Sequence, residues 1–220
     1  MIDPNPVISE VLGGCSDELA AFYASNQPKT DIRERAHLLD LNAACEYTKA
    51  LIGIPVVERL GLWALNEAND SNPYCYISKG PCSGAVIFFS HDPEPEIRFS
   101  SLANFVSSIS EVNDLESLRP EPGLSFDLDT EIASLLDEDT DDAAFLLATY
   151  LPRASRLSAA NLSTLGCHPD FLLREAFAWF LQNQGGLDEL EIATRLTQDS
   201  SPQVARAAKG AVAAIRKRLG

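Results

Sequence analysis

Leu60-Gly61-Leu62-Trp63-Ala64-Leu65, Tyr74-Cys75-Tyr76-Ile77 and Gly84-Ala85-Val86-Ile87-Phe88-Phe89 are three short apolar runs, and the polar cluster Asn69-Asp70-Ser71-Asn72-Pro73 separates the first two. Runs of this length, rich in aromatic and branched residues and bounded by turn formers, read as strands. Ile97-Arg98-Phe99 adds a candidate edge strand. After Ser100-Ser101, which can cap a helix, Leu102, Phe105, Val106 and Ile109 recur at steps of three and four. The period thus changes from strand to helix, and residues 60–109 predict a small sheet covered by one amphipathic helix. No catalytic motif stands in this stretch.

Upstream, Val7, Ile8, Val11 and Leu12 form a short helical stripe that Gly13-Gly14 would stop. Ser16 is a good N-cap for a second helix, with Asp17 and Glu18 at its positive end and Leu19, Phe22 and Tyr23 on one face, before Asn26-Gln27-Pro28. Leu38-Leu39-Asp40-Leu41 reads as a brief strand, and Asn42 as the cap of a helix carrying Ala43, Ala44, Tyr47 and Leu51, which Gly53-Ile54-Pro55 breaks. Helix, helix, strand, helix, sheet and closing helix predict an α+β domain over 1–110, not alternating βαβ units.

Composition narrows the function. The chain has 220 residues, 45% of them hydrophobic, and a formal net charge of −15. Residues 1–110 hold 14 acids and 7 bases, residues 111–142 hold 12 acids and one base, and residues 143–220 hold 6 acids and 9 bases. Such a chain is repelled by phosphate backbones and anionic lipid and attracted to basic surfaces, which argues against a nucleic-acid or membrane partner. The apolar runs are too short to cross a bilayer, and Asp3 stands where a signal peptide would want basic residues, so a cytoplasmic location is expected. Cys15, Cys45, Cys75, Cys82 and Cys167 lack paired spacing and read as buried thiols of a reduced compartment. A zinc site from Cys75, Cys82, His91 and Cys167 has no CxxC or HxxxH pair behind it, and no metal or cofactor is expected.

Residues 111–142 turn acidic, with Pro120, Pro122 and Gly123 early and Asp137-Glu138-Asp139-Thr140-Asp141-Asp142 late, and read as a linker or docking segment. Leu124, Phe126, Leu128, Ile132, Leu135 and Leu136 predict that part of it docks as a helix. From Ala143 the residues are helix formers. Leu172, Arg174, Ala176 and Phe180 correspond, with a shift of 32, to Val204, Arg206, Ala208 and Val212, each set following an Asp/Pro turn. This all-α region, 143–220, resembles a short stack of HEAT-type repeats; the alternative is an ordinary helical bundle. Trp179 is expected to be buried in it.

Several segments of the first half occur in the order of SUKH-superfamily (Smi/Knr-type) domains. Ser16-Asp17-Glu18-Leu19-Ala20-Ala21-Phe22-Tyr23-Ala24-Ser25-Asn26 resembles the family's early helix, and Pro73-Tyr74-Cys75-Tyr76-Ile77, after the polar turn from Asn66, resembles its first clear strand. Gly84-Ala85-Val86-Ile87-Phe88-Phe89-Ser90-His91-Asp92 resembles its next strand, and Phe99-Ser100-Ser101-Leu102-Ala103-Asn104-Phe105-Val106 its closing helix. The family's Gly-Asp-Gly-like turn is replaced by Asn69-Asp70-Ser71-Asn72, and the helical region lies outside the family domain. The resemblance implies an antiparallel sheet flanked by helices and a non-enzymatic role. Many bacterial members are immunity proteins that neutralise a toxin, often a nuclease, and fungal relatives are regulatory interaction proteins.

His91-Asp92 invites a phosphohydrolase reading, but the doublet ends a strand, and His37 and His168 lack ligand spacing. The acidic run lacks the Gly and terminal Glu of a calcium loop. The expectation is therefore an immunity protein that occludes a basic toxin domain, with an intracellular interaction scaffold as the alternative. Candidate partner-binding residues are Trp63, Asn66, Asp70, Tyr74 and Tyr76, together with Asp137, Glu138, Asp139, Asp141 and Asp142, the aromatics serving as anchors wherever they are exposed.

Overall fold

Pro4, Ile8 and Leu12, four residues apart, are the buried face of the first helix, α1 (Pro4–Leu12). These and the elements below come from a computed structural model that describes residues 4–14, 16–25, 28–67, 72–90, 95–138 and 140–220. The chain divides into two units, residues 1–124 and 125–220. The acidic segment expected over 111–142 is thereby shared between them.

Helix α2 (Asp17–Ala24) starts at Ser16, whose Oγ accepts the Leu19 N–H at 3.3 Å, and buries Leu19, Ala20 and Phe22. A one-turn helix that the apolar pattern does not mark, α3 (Thr30–Arg35), follows. The strand expected from Leu38 to Leu41 reduces to an isolated bridge between Leu38 and Asn66. The reason is the cap of α4 (Leu41–Leu51): Asp40, not Asn42, is the N-cap, its Oδ1 accepting the Ala43 N–H at 2.9 Å, so the helix claims Leu41. Pro55, instead of only ending that helix, opens another, α5 (Pro55–Leu60), since proline's fixed φ suits a first helical turn. Gly61 then turns helix into strand at φ +57°, where a Cβ would strike Ser78 Oγ.

Strands β1 (Leu62–Ala64), β2 (Tyr74–Ile77), β3 (Val86–Phe88) and β4 (Glu96–Phe99) pair antiparallel in that order. Trp63 lies opposite Tyr76, Tyr74 opposite Phe88, and Val86 opposite Phe99. Ser101 caps α6 (Leu102–Glu111) by accepting the Asn104 N–H at 3.1 Å, and Leu102, Phe105 and Ile109 turn inward. They meet Trp63, Leu65, Tyr74, Tyr76, Val86 and Phe99 of the sheet region and Ile8, Leu12, Leu19 and Phe22 of α1 and α2 in one core. Phe105 lies 5.2 Å from the Tyr74 ring and 5.5 Å from the Phe99 ring, tilted packing that adds to the area each ring buries. The first unit is α+β.

The second unit is all helical: α7 (Asp129–Leu136), α8 (Asp141–Tyr150), α9 (Ala159–Leu165), α10 (Phe171–Gln184), α11 (Leu190–Leu196) and α12 (Pro202–Leu219). Helix α10 is central, burying Leu173, Ala176, Phe177, Ala178, Phe180 and Leu181, and packs on α12 through Val204, Ala207, Ala208, Ala211 and Ile215. Small residues on α12 let the axes approach closely. A short helix followed by a long one occurs twice, α9 with α10 and α11 with α12. The Arg174 side chain ties the start of α10 to the turn before α12, through bonds of 2.7 and 2.9 Å to the two Asp199 oxygens. Arg218 donates to the carbonyls of Leu181, Gln182 and Gly185, closing the C-terminal end of α10.

Two expectations change in this unit. Trp179, expected to be buried, is 42% exposed, because α10 spends its inward faces on α8 and α12 and leaves Leu172 and Trp179, two turns apart, on its outer strip. Cys167, expected to be a core thiol, is exposed in the turn after α9, while Cys45, Cys75 and Cys82 are buried. Cys15 lies outside the described residues. No helix among the described residues is long and apolar enough to cross a membrane.

Candidate binding site

The strand aromatics singled out as surface anchors are core residues. Trp63 is fully buried, its Nε1–H donating to the Tyr23 hydroxyl at 2.9 Å. Tyr74 is 2% exposed and its hydroxyl accepts from Arg98 Nη1 at 2.7 Å. Tyr76 is 4% exposed; its hydroxyl accepts from Ser16 Oγ at 2.9 Å and donates to Glu18 Oε2 at 3.4 Å. The reason is that both faces of β1 and β2 are covered, so alternate residues do not divide into an inner and an outer set. None of the three side chains presents a free ring to a partner. Burial also holds the hydroxyls of Tyr23 and Tyr76 protonated, well above the usual tyrosine range for Tyr23.

The acidic candidates divide. Asp137 closes α7 and is exposed, Glu138 is half-buried, and Asp141 and Asp142 form the first turn of α8 behind the Thr140 cap. There they face the positive end of the helix dipole, so this part of the run is helix-forming as well as charged. Asp70, Asp139 and the His91-Asp92 pair lie outside the described residues. By unit, residues 1–124 contain 18 acids and 8 bases, and residues 125–220 contain 14 acids and 9 bases. The units carry −10 and −5. Some carboxylates are internal fixtures: Glu121 accepts from the Ser100 N–H and hydroxyl at 2.8 Å, and Asp129 from the Ser158 N–H and the Asn161 amide at 2.7 Å. In each, burial pushes the carboxyl up, and the hydrogen bonds outweigh it and hold it below its ordinary value.

Of the sheet candidates, Asn66 and the Tyr74 ring line a cavity. That cavity has a volume of about 740 Å³ and is lined by Arg35, His37, Asn66, Arg98, Asp114 and Glu116, with Tyr74 and Phe88 as apolar wall. Three features of it are unusual. Asn66 is 1% exposed; its Oδ1 accepts the Tyr74 N–H at 2.7 Å, while its Nδ2 has no acceptor among the described residues. The amide orientation is fixed, because exchanging O and N would set an NH2 against an N–H. A buried donor left unsatisfied costs about 1–3 kcal/mol. His37 holds φ at +49°, the left-handed region that costs a non-glycine residue roughly 1–2 kcal/mol. The Arg98 guanidinium lies 4.3 Å from the Phe88 ring centroid, with Nε on Glu96 at 3.0 Å and Nη1 on Tyr74. Sequence reasoning reached Asn66 through the turn it opens; His37 and Arg98 gave no signal, since their roles depend on a backbone torsion and on a cross-strand stack.

The arrangement offers donors and charges of both signs in a walled cavity, which suits binding. Among the described residues no group of three or more His, Cys, Asp or Glu is placed to hold a metal ion. Compared with family models, with curated proteins and with solved structures, the chain matches none.

Proposed function

We propose that this is a non-enzymatic, cytoplasmic binding protein that acts as an immunity protein, occluding the active site of a basic toxin, with a nuclease as the expected target. The observation that carries the reading is the net charge of −15, distributed as −10 and −5 over the two units. A nuclease active site must be positive to hold phosphates, so an acidic protein is drawn to it and competes with the nucleic acid there. The resemblance of segments within residues 7–110 to SUKH-type domains, in that family's order, supports the same reading. Lasting affinity needs desolvated apolar contact as well. With Trp63, Tyr74 and Tyr76 in the core, the exposed Leu172 and Trp179 of α10 supply it, 41% and 42% exposed on one helical face.

The test is direct. The protein encoded beside this gene is expressed alone and together with this chain. The expected result is toxicity alone, rescue on co-expression, and a complex that survives gel filtration and inhibits nuclease activity. A non-toxic neighbour, or a toxic one that neither binds nor is inhibited, contradicts the reading and favours the alternative, an interaction scaffold that joins two cellular proteins through its two units.

A further inference from the structure

We infer that the cavity at Asn66 is a binding site for a peptide carboxylate, with the Asn66 Nδ2–H group donating to one carboxylate oxygen and the Arg98 and Arg35 guanidiniums supplying the countercharge. The inference does not rest on the toxin reading; it would hold for a scaffold equally well.

The donor comes first. A buried amide normally satisfies both of its ends, and here the carbonyl end is satisfied by the Tyr74 N–H at 2.7 Å, which leaves the nitrogen end as the group in want of an acceptor. Because Oδ1 is pinned, Asn66 cannot relieve that want by flipping. The local backbone is held in register around it: Leu39 N–H donates to Leu65 O at 3.0 Å and Glu67 N–H to His37 O at 3.1 Å, so the strained His37 and the orphaned Asn66 are braced on adjacent strands of chain. A strained residue and an unsatisfied buried donor at one cavity mark a place where an added acceptor would be stabilising.

The charge pattern selects the ligand. Arg98 is fixed on three sides, by Glu96, by the Tyr74 hydroxyl and by the Phe88 face, so it presents a guanidinium at little further entropy cost. Arg35 lines the same cavity, and so do Asp114 and Glu116. With Glu96 already on Arg98 and two further carboxylates in the lining, a second negative charge on the ligand is disfavoured, which argues against a dianionic phosphate. The lining suits a ligand with one carboxylate next to amide N–H groups, which the two acids can accept. A volume of about 740 Å³ accommodates two or three residues of peptide. Asn66 Nδ2 is shielded from bulk water, so the carboxylate reaches it through a rotation of the lining side chains.

The experiment is a titration of the full chain, followed by the side-chain amide resonances of Asn66 and the Nε resonance of Arg98. The probes are acetyl-glycylglycine, with a terminal carboxylate; acetyl-aspartate methylamide, with a side-chain carboxylate; acetyl-glycylglycinamide, with neither; and inorganic phosphate. The expected result is a saturable shift of both resonances with one or both carboxylates, and none with the amide or with phosphate. The stronger of the first two identifies a chain terminus or an acidic side chain as the source. Asn66→Asp keeps the acceptor for the Tyr74 N–H and removes the donor, and is expected to weaken binding at least tenfold; should that variant fail to fold, the wild-type titration decides alone. No saturable shift, equal response to the amide or to phosphate, or undiminished binding by a folded N66D overturns the inference.

Discussion

The Arg174–Asp199 pair is the clearest case of one residue carrying structure in this chain. Both side chains are nearly buried, 13% and 9% exposed, and the two-pronged contact is of the strong, charge-assisted kind. The Arg174 hydrogen bonds hold the Asp199 carboxyl below its ordinary value of 3.8, against a smaller upward push from burial. A carboxyl depressed in the folded state adds stability above its unfolded pKa and loses it as pH falls through the folded one. Asp199→Asn is therefore expected to cost about 1–3 kcal/mol in urea unfolding at pH 7, and wild type and variant should converge as pH drops below 3.8. A gap that stays constant down to pH 2 would show that the charge is not what matters. Trp63 makes a second residue-scale case. Replacing it with Phe keeps most of the apolar area but removes the donor to the half-buried Tyr23 hydroxyl, and thermal unfolding should register a loss of about 1 kcal/mol.

At the scale of elements, caps decide more than hydrophobic pattern does. Asp40→Ala is expected to destabilise the first unit by about 1 kcal/mol in denaturant unfolding, and Asn42→Ala by much less, since only Asp40 binds the Ala43 N–H. Much of this level was legible in the sequence. The β2 and β3 runs, the closing stripe of Leu102, Phe105 and Ile109, and the Ser16 and Ser101 caps all stand where the pattern puts them, because each combines a period with a terminator. Short helices escaped: α3 has no buried residue, and α5 hides behind a proline that also reads as a breaker. The strand aromatics misled for a physical reason. A sheet buried on both faces gives no polar alternation, so nothing in the sequence separates a core tyrosine from an exposed one. Trp179 misled the other way, being one large apolar residue on a helix where Leu173, Phe177, Phe180 and Leu181 take the packed positions.

For the whole molecule, charge was readable and its use was not. The totals come straight from composition, yet whether Asp141 serves a helix terminus or a partner depends on where α8 begins. The α+β unit followed by a helical unit was legible as a change of composition, while the cavity at Asn66 was not, because it is assembled from Arg35, Asn66, Arg98 and Glu116, residues far apart in the chain. If recognition combines acidic steering with the α10 patch, Trp179→Ala should leave the association rate nearly unchanged and speed dissociation at least tenfold, at no cost in folding stability beyond about 0.5 kcal/mol. Equal kinetics for wild type and variant would move the apolar contact elsewhere.

The proposed role stands on an acidic surface that draws in a basic toxin. The measurement that tests it most directly is the association rate constant with the neighbouring gene's product, followed by stopped flow from about 30 to about 500 mM salt, a range over which screening of exposed charges becomes nearly complete. Acidic steering predicts a fall of tenfold or more across that range, with a much smaller change in the dissociation rate. An association rate that does not depend on salt would contradict it.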